Sequence, residues 1–160
     1  MRDAVAEQEY IDGRFVDRHV GEYAHGRAQG LVAAILLERE RSMRFRTFIA
    51  VTVRVRPDCY RVPDVCVKAL PHEITAVLVC PDLAIEVVSP GDEVQEMLTK
   101  IGDYLAAGIP HIWVIDPYKR TVVEADQSGI RRDTSLKLSN PLVGEIDFAA
   151  LFDQLDEPAD

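Results

Sequence analysis

The sequence predicts an α/β fold in which helices flank a mixed β-sheet and a hairpin precedes it. Three observations predict this fold. Residues 9–18 place an Asp-Gly pair between apolar positions, residues 44–56 alternate apolar and basic side chains, and residues 82–116 have the pattern strand, helix, strand. Such a crossover joins parallel strands and hairpins supply antiparallel ones, so the sheet should be mixed. At 160 residues, we expect a single domain over residues 1–160.

The first half of the chain begins with E-Y-I-D-G-R-F-V-D-R, which is typical of a short hairpin turn. Residues Tyr23 to Arg39 should form a helix, because apolar residues recur there at steps of three and four. Residues 44–56 predict one strand, with four arginines on one face: Arg44, Arg46, Arg54 and Arg56. A second strand should begin at Asp64, directly after Pro63, which cannot donate a ladder hydrogen bond.

The second half opens with a strand from Leu83 to Val88, which S-P-G-D ends. A helix should follow, with Asp92 as N-cap and Gln95 as its capping-box partner, and it should stop at Gly108. Residues 111–116 and 120–125 predict another hairpin. Residues 147–155 carry apolar side chains at helical spacing and predict a final short helix.

The charge distribution is uneven along the chain. The net charge is −9 and the isoelectric point is about 4.9, so no positive field covers the whole surface. Basic residues are concentrated from Arg39 to Arg61, whereas residues 143–160 are acidic and end in an acidic tail at about 153–160. Two interpretations are open: a solvated strand face with a solvated tail, or a local basic lip on an acidic protein.

The cysteines and the hydropathy pattern exclude several classes of protein. Cys59, Cys66 and Cys80 form no C-x-x-C pair, so we interpret them as small core residues and not as a disulfide framework or a zinc site. No window approaches the roughly 18 apolar residues of a membrane span, and residues 1–9 lack the apolar core of a signal peptide. We therefore expect a cytoplasmic protein without a membrane partner.

Two carboxylates stand out as candidate functional residues. Glu86 shares its strand face with Ala84 and Val88, and a lone buried carboxylate is unfavourable unless it is paired or bound to a cation. Asp64 is its natural companion, at the start of another apolar strand, although it could simply cap a turn after Pro63. Two carboxylates at strand ends would make a hard oxygen site suited to Mg²⁺ or Mn²⁺.

A lysine and a histidine are further candidates. Lys100 lies on the margin of the apolar stripe of its helix, from which its stem could carry the ammonium to the sheet edge. The alternative is a surface ion pair between Lys100 and Glu96. His25 lies on the same helical face as Ala28 and Val32, so it is either a core histidine or a site residue.

These motifs together resemble the Uma-two family of restriction endonucleases, a branch of the PD-(D/E)XK nuclease superfamily. The resemblance rests on R-V-P-D-V, P-D-L-A-I-E-V-V-S-P, K-x-x-x-Y-L-x-x-G and I-W-V-I-D-P, and it extends to the Y-I-D-G hairpin, His25-Gly26 and L-V-G-E-I-D-F-A-A-L-F. It therefore covers nearly the whole chain. Arg14 and Glu96 differ from the residues usual in the family at their positions.

The resemblance implies a restriction-endonuclease-like fold and metal-dependent hydrolysis of DNA. It implies that Asp64 and Glu86 are the catalytic acids, and that the lysine expected at Val88 is replaced by Lys100. Asp64, Glu86 and the backbone carbonyl of Val87 would hold Mg²⁺ or Mn²⁺. A homodimer is expected, because a nuclease that cuts both strands benefits from two sites.

Two alternatives to a DNA endonuclease are open. The fold could serve as an interaction or dimerisation module without useful cleavage, which the acidic net charge favours. It could also act on a smaller phosphorylated molecule or on RNA, although no specific motif indicates this.

Overall fold

This computed structural model describes residues 8–18 and 22–156, which form thirteen strands and three helices. In chain order the elements are β1 (Gln8–Ile11), β2 (Arg14–Asp17), α1 (Tyr23–Met43), β3 (Phe45–Ile49), β4 (Val53–Arg56), β5 (Cys59–Arg61), β6 (Val65–Ala69), β7 (Leu78–Val79), β8 (Leu83–Val87), α2 (Val94–Ala106), β9 (Ile112–Asp116), β10 (Thr121–Asp126), β11 (Gly129–Asp133), β12 (Lys137–Asn140), β13 (Gly144–Asp147) and α3 (Phe148–Asp153). Residues 1–7 lie outside the described ranges, and with them most of the N-terminal stretch that was compared with a signal peptide. The end of the acidic tail, residues 157–160, lies outside them as well.

The central sheet has six strands in the order β11-β10-β9-β8-β6-β3. β8 and β9 run parallel and α2 connects them, as the strand–helix–strand pattern predicted. The other neighbouring strands are antiparallel. The prediction of a mixed sheet flanked by helices is confirmed.

The predicted N-terminal hairpin belongs to a second sheet. β1 pairs antiparallel with β2 across Asp12 and Gly13, whose φ angles are 51° and 79°. Two consecutive residues with positive φ make the tight turn that an Asp-Gly pair favours. This sheet has the order β2-β1-β5-β4-β7, and β12 and β13 form a separate two-stranded sheet.

Residues 44–56 do not form the single strand that their alternation predicted. Arg44 caps the end of α1 with φ of 58°, β3 pairs with β6 in the central sheet, and β4 pairs with β5 in the second sheet. Between them Ala50 adopts φ of 50°, and its N–H donates to the carbonyl of Asp64 (3.1 Å). The apolar alternation continues across this bend, so the sequence carries no sign of it.

The two long helices differ from their predicted boundaries. α1 continues past Arg39 to Met43, because residues 40–43 contain no helix breaker. α2 has Glu93 as its N-cap, without a side-chain hydrogen bond. Asp92 instead accepts the Ser89 N–H (2.8 Å). The predicted capping box is therefore wrong.

The central sheet is covered on both faces. Leu83, Ile85 and Val87 pack in the cluster that contains α1 and α3, whereas Ala84 packs with residues of α2. Glu86 has the same parity as Ala84 and therefore points toward α2. β8 therefore places an acid in an otherwise apolar layer.

Two further predictions concern the cysteines and the helices. Cys59 and Cys66 are buried, as predicted for small core residues, whereas Cys80 is only partly buried. Within residues 8–18 and 22–156, none of the helices is long and apolar enough to span a membrane.

Candidate functional site

Asp64 lies directly before β6, and its side chain is only 5% exposed. Oδ2 accepts the N–H of Val87 in β8 (2.8 Å), and Oδ1 accepts Nη2 of Arg18 (3.0 Å). Nε2 of His25 in α1 lies 3.3 Å from Oδ2. The carboxylate therefore connects three segments of the chain and is more than a local turn cap.

Glu86 is buried in the middle of this arrangement, in β8. Its Oε1 accepts the hydroxyl of Tyr104 (2.5 Å), and its Oε2 faces Lys100. Both partners lie on α2, four residues apart, and therefore on the same helix face. One helix thus contacts both oxygens of a single carboxylate.

Lys100 points into the sheet edge and not into solvent. Its Nζ lies 3.8 Å from Oε2 of Glu86, and its side chain is 12% exposed. This distance allows an ion pair but is too long for a direct hydrogen bond. The structure thus brings Lys100 to Glu86, as its position on the helix margin allowed.

The electrostatics of the two acids differ. Burial raises the pKa of Glu86 to about 8, with a further rise from Asp64, although Lys100 and the Tyr104 hydrogen bond lower it. Burial also acts to raise the pKa of Asp64, but His25, the Val87 N–H and Arg18 outweigh it and leave that pKa below its usual value. Asp64 is therefore ionised at neutral pH, whereas Glu86 titrates near neutral pH, where Lys100 and any further cation favour its ionised form.

The surroundings of Lys100, the cation beside Glu86, favour its charged form. Burial acts to lower the pKa of Lys100, yet the negative charges around it, that of Glu86 first, leave this pKa raised. Lys100 is therefore an ammonium ion at neutral pH.

These side chains line one small pocket of about 20 Å³. The lining residues are Arg18, His25, Asp64, Glu86, Val87, Ser89, Asp92 and Lys100. The N–H and C=O of a strand residue point to the same side, and the Val87 N–H is bound to Asp64. The Val87 carbonyl therefore lies on the side of β8 that faces β6 and Asp64.

The donor set of the pocket fits a hard divalent cation. Two carboxylates and a carbonyl are oxygen ligands that Mg²⁺ and Mn²⁺ accept, with waters and substrate oxygens completing the shell. A pocket of this size holds an ion or a single water but not a nucleoside, so a substrate must approach from its mouth. Among the described residues, no three His, Cys, Asp or Glu side chains gather as a metal site, so the carbonyl, waters and substrate oxygens would have to supply the remaining ligands.

Sequence reasoning missed two residues that contact the acids. Tyr104 was not among the candidate residues, although the K-x-x-x-Y spacing places it on the same helix face as Lys100, where its hydroxyl donates to Oε1 of Glu86. Arg18 gave no local signal, because it meets Asp64 only through the fold, across 46 positions of sequence.

A second ionic cluster lies behind the pocket. Arg61 is 3% exposed and donates to Glu9 Oε2 (3.1 Å) and to Asp103 Oδ2 (2.6 Å). Glu9 also accepts the Val62 N–H (2.9 Å). These bonds join β1, β5 and α2, the helix that carries Lys100, so the N-terminal hairpin is tied to the site.

The basic residues between Arg39 and Arg61 do not gather beside the acids of the pocket. Arg56 donates to Asp12, Asp58 and Asp103, so acids already neutralise it. Arg44 and Arg46 line a different cleft. It lies near the start of β3, which pairs with the end of β6, whereas Asp64 lies directly before the start of β6.

Comparisons with known proteins concern the family and the fold of this chain. Residues 4–141 match the family model described as "Uma2: Putative restriction endonuclease". The fold is similar to the crystal structure of a "putative nuclease belonging to DUF820" from Anabaena variabilis, with a TM-score of 0.83 and 22% identity over 97% of this chain and 94% of that chain. The cryo-EM structure of a DrdV–DNA complex aligns with a TM-score of 0.46 and 17% identity over 81% of this chain and 12% of that chain. No curated protein matches the chain.

The structural likeness confirms the predicted restriction-endonuclease-like fold. The family match extends over most of the sequence and includes Asp64, Glu86 and Lys100. The chain therefore belongs to the Uma2 restriction endonuclease family.

Proposed function

We propose that this chain is a metal-dependent endonuclease that hydrolyses phosphodiester bonds in DNA. The observation that carries the proposal is the meeting of Asp64, Glu86 and Lys100 in one small pocket, although they come from three separate segments of the chain. Membership of a restriction endonuclease family supports the same reaction.

Each residue has a distinct role in this proposal. Asp64, Glu86 and the Val87 carbonyl would hold one or two Mg²⁺ or Mn²⁺ ions, and Glu86 releases its proton when it becomes a ligand. Such an ion supplies charge that polarises the phosphate and acidifies a bound water. Lys100 holds the attacking water or stabilises the negative charge that develops on the phosphate.

A cleavage assay with matched variants tests these roles. With Mg²⁺ or Mn²⁺ present, Glu86→Ala and Lys100→Ala should each lower the cleavage rate by about 100-fold or more. Lys137→Ala removes an exposed lysine outside the pocket and should cleave like the parent. Parent-like cleavage by Lys100→Ala or Glu86→Ala would contradict the proposed site.

DNA is the substrate that the family favours, and a substrate screen separates it from the alternatives. Plasmid DNA, single-stranded DNA, RNA and a small phosphodiester such as bis(p-nitrophenyl) phosphate should be incubated with each metal. We expect the plasmid to be cut fastest. Faster cleavage of the small diester or of RNA would redirect the proposal to that substrate.

We further propose that the protein acts as a homodimer through the groove between α2 and β10–β11. Val94, Leu98 and Ile130 line this groove and are 77%, 43% and 49% exposed. Its rim has acids at the start of α2 and bases at Lys119 and Arg132, so two copies related by a two-fold axis can pair opposite charges.

Sedimentation velocity tests this interface. The parent should sediment as a dimer, and Leu98→Glu should sediment as a monomer, whereas Leu37→Glu changes a leucine of comparable exposure outside the groove and should stay dimeric. A monomeric parent would contradict the proposal, as would a Leu98→Glu dimer.

A second candidate function is an interaction module with the nuclease fold. The net charge of −9 and the neutralisation of Arg56 and Arg61 by acids favour it, since nucleic-acid-binding surfaces are usually basic. Calorimetric titration with Mn²⁺ discriminates the two functions. Binding that Glu86→Ala abolishes favours the nuclease, and an absence of binding favours the module.

A further inference from the structure

Arg18 and His25 approach the same carboxylate from different segments. Arg18 follows β2 and lies 3.0 Å from Oδ1 of Asp64, and His25 lies in the first turn of α1, 3.3 Å from Oδ2. Their side chains are 14% and 10% exposed, and both line the pocket. The Val87 N–H fixes Oδ2 to the sheet independently of these two contacts.

Charge balance in the pocket changes when a cation binds the acids. Arg18 and Lys100 face Asp64 and Glu86 in the metal-free protein. A divalent cation on the two carboxylates would leave the Arg18 guanidinium without the full charge of its partner, and a buried cation with a weakened partner is unfavourable. An anion at the pocket mouth would restore the balance. The guanidinium group matches phosphate oxygens in charge and geometry.

His25 has an unused hydrogen-bonding atom. Its Nδ1 is buried and has no partner in the described part of the chain. Most buried polar atoms are hydrogen-bonded, and a histidine held at both nitrogens has a fixed ring. Its Nε2 faces Asp64 at 3.3 Å, so the described polar contacts of the ring involve one nitrogen only.

We propose that Arg18 and His25 form a phosphate subsite beside the metal ligands. In the metal-free protein they bind Asp64, and with a metal present they donate to a nonbridging oxygen of a nucleic-acid phosphodiester. The inference rests on the proposed nuclease function and names how its site receives the backbone. Contacts of this kind position a strand without reading its sequence. Metal and phosphodiester should therefore strengthen each other's binding.

The first measurement is the affinity for Mn²⁺ alone, by titration calorimetry. Arg18→Gln should bind Mn²⁺ about three- to tenfold more tightly than the parent, because the competing hydrogen bond to Asp64 is lost. Arg14→Gln removes an exposed arginine from the same hairpin and should leave the affinity unchanged. Glu86→Ala should abolish the binding.

The second measurement is the affinity for a short fluorescent DNA duplex with Mn²⁺ present, by anisotropy, with Lys100→Ala in every protein to prevent cleavage. Adding Arg18→Gln should weaken DNA binding about tenfold or more. Arg18→Lys should recover part of it, since the charge remains but the paired donors do not. His25→Gln should weaken it less, and Arg14→Gln should have no effect.

Opposite changes in the two affinities support the subsite, since a merely structural arginine would weaken both. Arg18→Gln with both affinities lowered, or with both unchanged, overturns the subsite; Mn²⁺ binding that still depends on Glu86 would then leave the metal site intact. Circular dichroism of Arg18→Gln and Arg18→Lys checks that each variant is folded. Absence of Mn²⁺ binding in the parent overturns the proposed function together with this inference.

Discussion

Glu86 is the residue on which the charge state of the pocket depends. It is buried in β8, and its two oxygens face Tyr104 and Lys100 on the same helix. Its pKa of about 8 follows from burial first, with the opposing effect of Lys100 next. Near neutral pH, a modest change in surroundings therefore decides whether this side chain is a carboxylic acid or a ligand.

The protonation of Glu86 should make folding stability depend on pH. The folded pKa is about 8 and the unfolded value is 4.5, so the stabilising contribution is full below about pH 4.5 and is lost as the pH rises through about 8. As the pH rises between those values, the free energy of unfolding of the parent should fall by about a few kcal/mol more than that of Glu86→Gln, because each unit of pKa shift corresponds to about 1.4 kcal/mol. Urea denaturation at a series of pH values measures this difference, with Glu73→Gln as the exposed control. Parallel curves for the parent and Glu86→Gln would count against the raised pKa.

Tyr104 should tune the acid without contacting the substrate. Its hydrogen bond lowers the pKa of Glu86, so Tyr104→Phe should raise that pKa and shift the pH midpoint of Mn²⁺ binding upward. The same change should cost about 1–2 kcal/mol of stability, because a buried acceptor loses its donor. Calorimetry across pH tests the shift, and Tyr60→Phe is the control. An unchanged midpoint would assign Tyr104 to packing alone.

At the scale of elements, α2 and the N-terminal hairpin are coupled through buried charge. Arg61 of β5 is 3% exposed and joins Glu9 of β1 to Asp103 of α2. Lys100 and Tyr104 lie on the same helix as Asp103. The position of both partners of Glu86 therefore depends on a hairpin that is distant from α2 in sequence.

Removing one member of this cluster should destabilise the protein strongly. Glu9→Ala leaves the Val62 N–H without its acceptor and Arg61 with one partner fewer, so we expect a loss of about 3–5 kcal/mol. Asp58→Ala removes a partner of the half-exposed Arg56 and should cost under about 1 kcal/mol. Chemical denaturation measures both. Similar losses for the two variants would show that burial of the cluster has no special weight.

Most elements could be predicted from the sequence, because their signals are local. The Asp-Gly turn, the parity of Leu83–Val87 and the periodicity of α1 and α2 each depend on neighbours in the chain. The bend at Ala50 could not, since apolar alternation runs through it and alanine rarely adopts positive φ. Asp64 and Glu86 could be identified as candidate site residues because each is an acid within or beside an apolar strand. Arg18 and Tyr104 were missed because only the folded chain brings them to those acids.

At the scale of the whole molecule, a net charge of −9 limits how the protein can hold DNA. Within the described ranges, acids neutralise Arg56, Arg61, Arg120 and Arg131, and the bases that line the pocket itself are Arg18 and Lys100. Affinity should therefore come from a few contacts around the pocket.

The salt dependence of DNA binding should accordingly be shallow. Each neutralised phosphate contributes about −0.9 to the slope of log K against log salt, so two to four contacts predict a slope of about −2 to −4. Anisotropy titrations of the Lys100→Ala protein at increasing KCl concentration measure it. A slope steeper than about −6 would indicate a basic interface away from the pocket.

The delivery of Lys100 by a helix has a consequence for engineering. Because the ammonium reaches Glu86 from α2, position 88 of the strand carries no charge, and Val88 lies on the same strand face as Glu86 and in the apolar groove. A lysine transplanted there, in the double variant Lys100→Ala with Val88→Lys, would approach the same acid from a different backbone. Recovery of cleavage would show that the ammonium can be attached either to the strand or to the helix. The lysine of such a site could then be exchanged between a strand position and a helix position in other proteins with this fold.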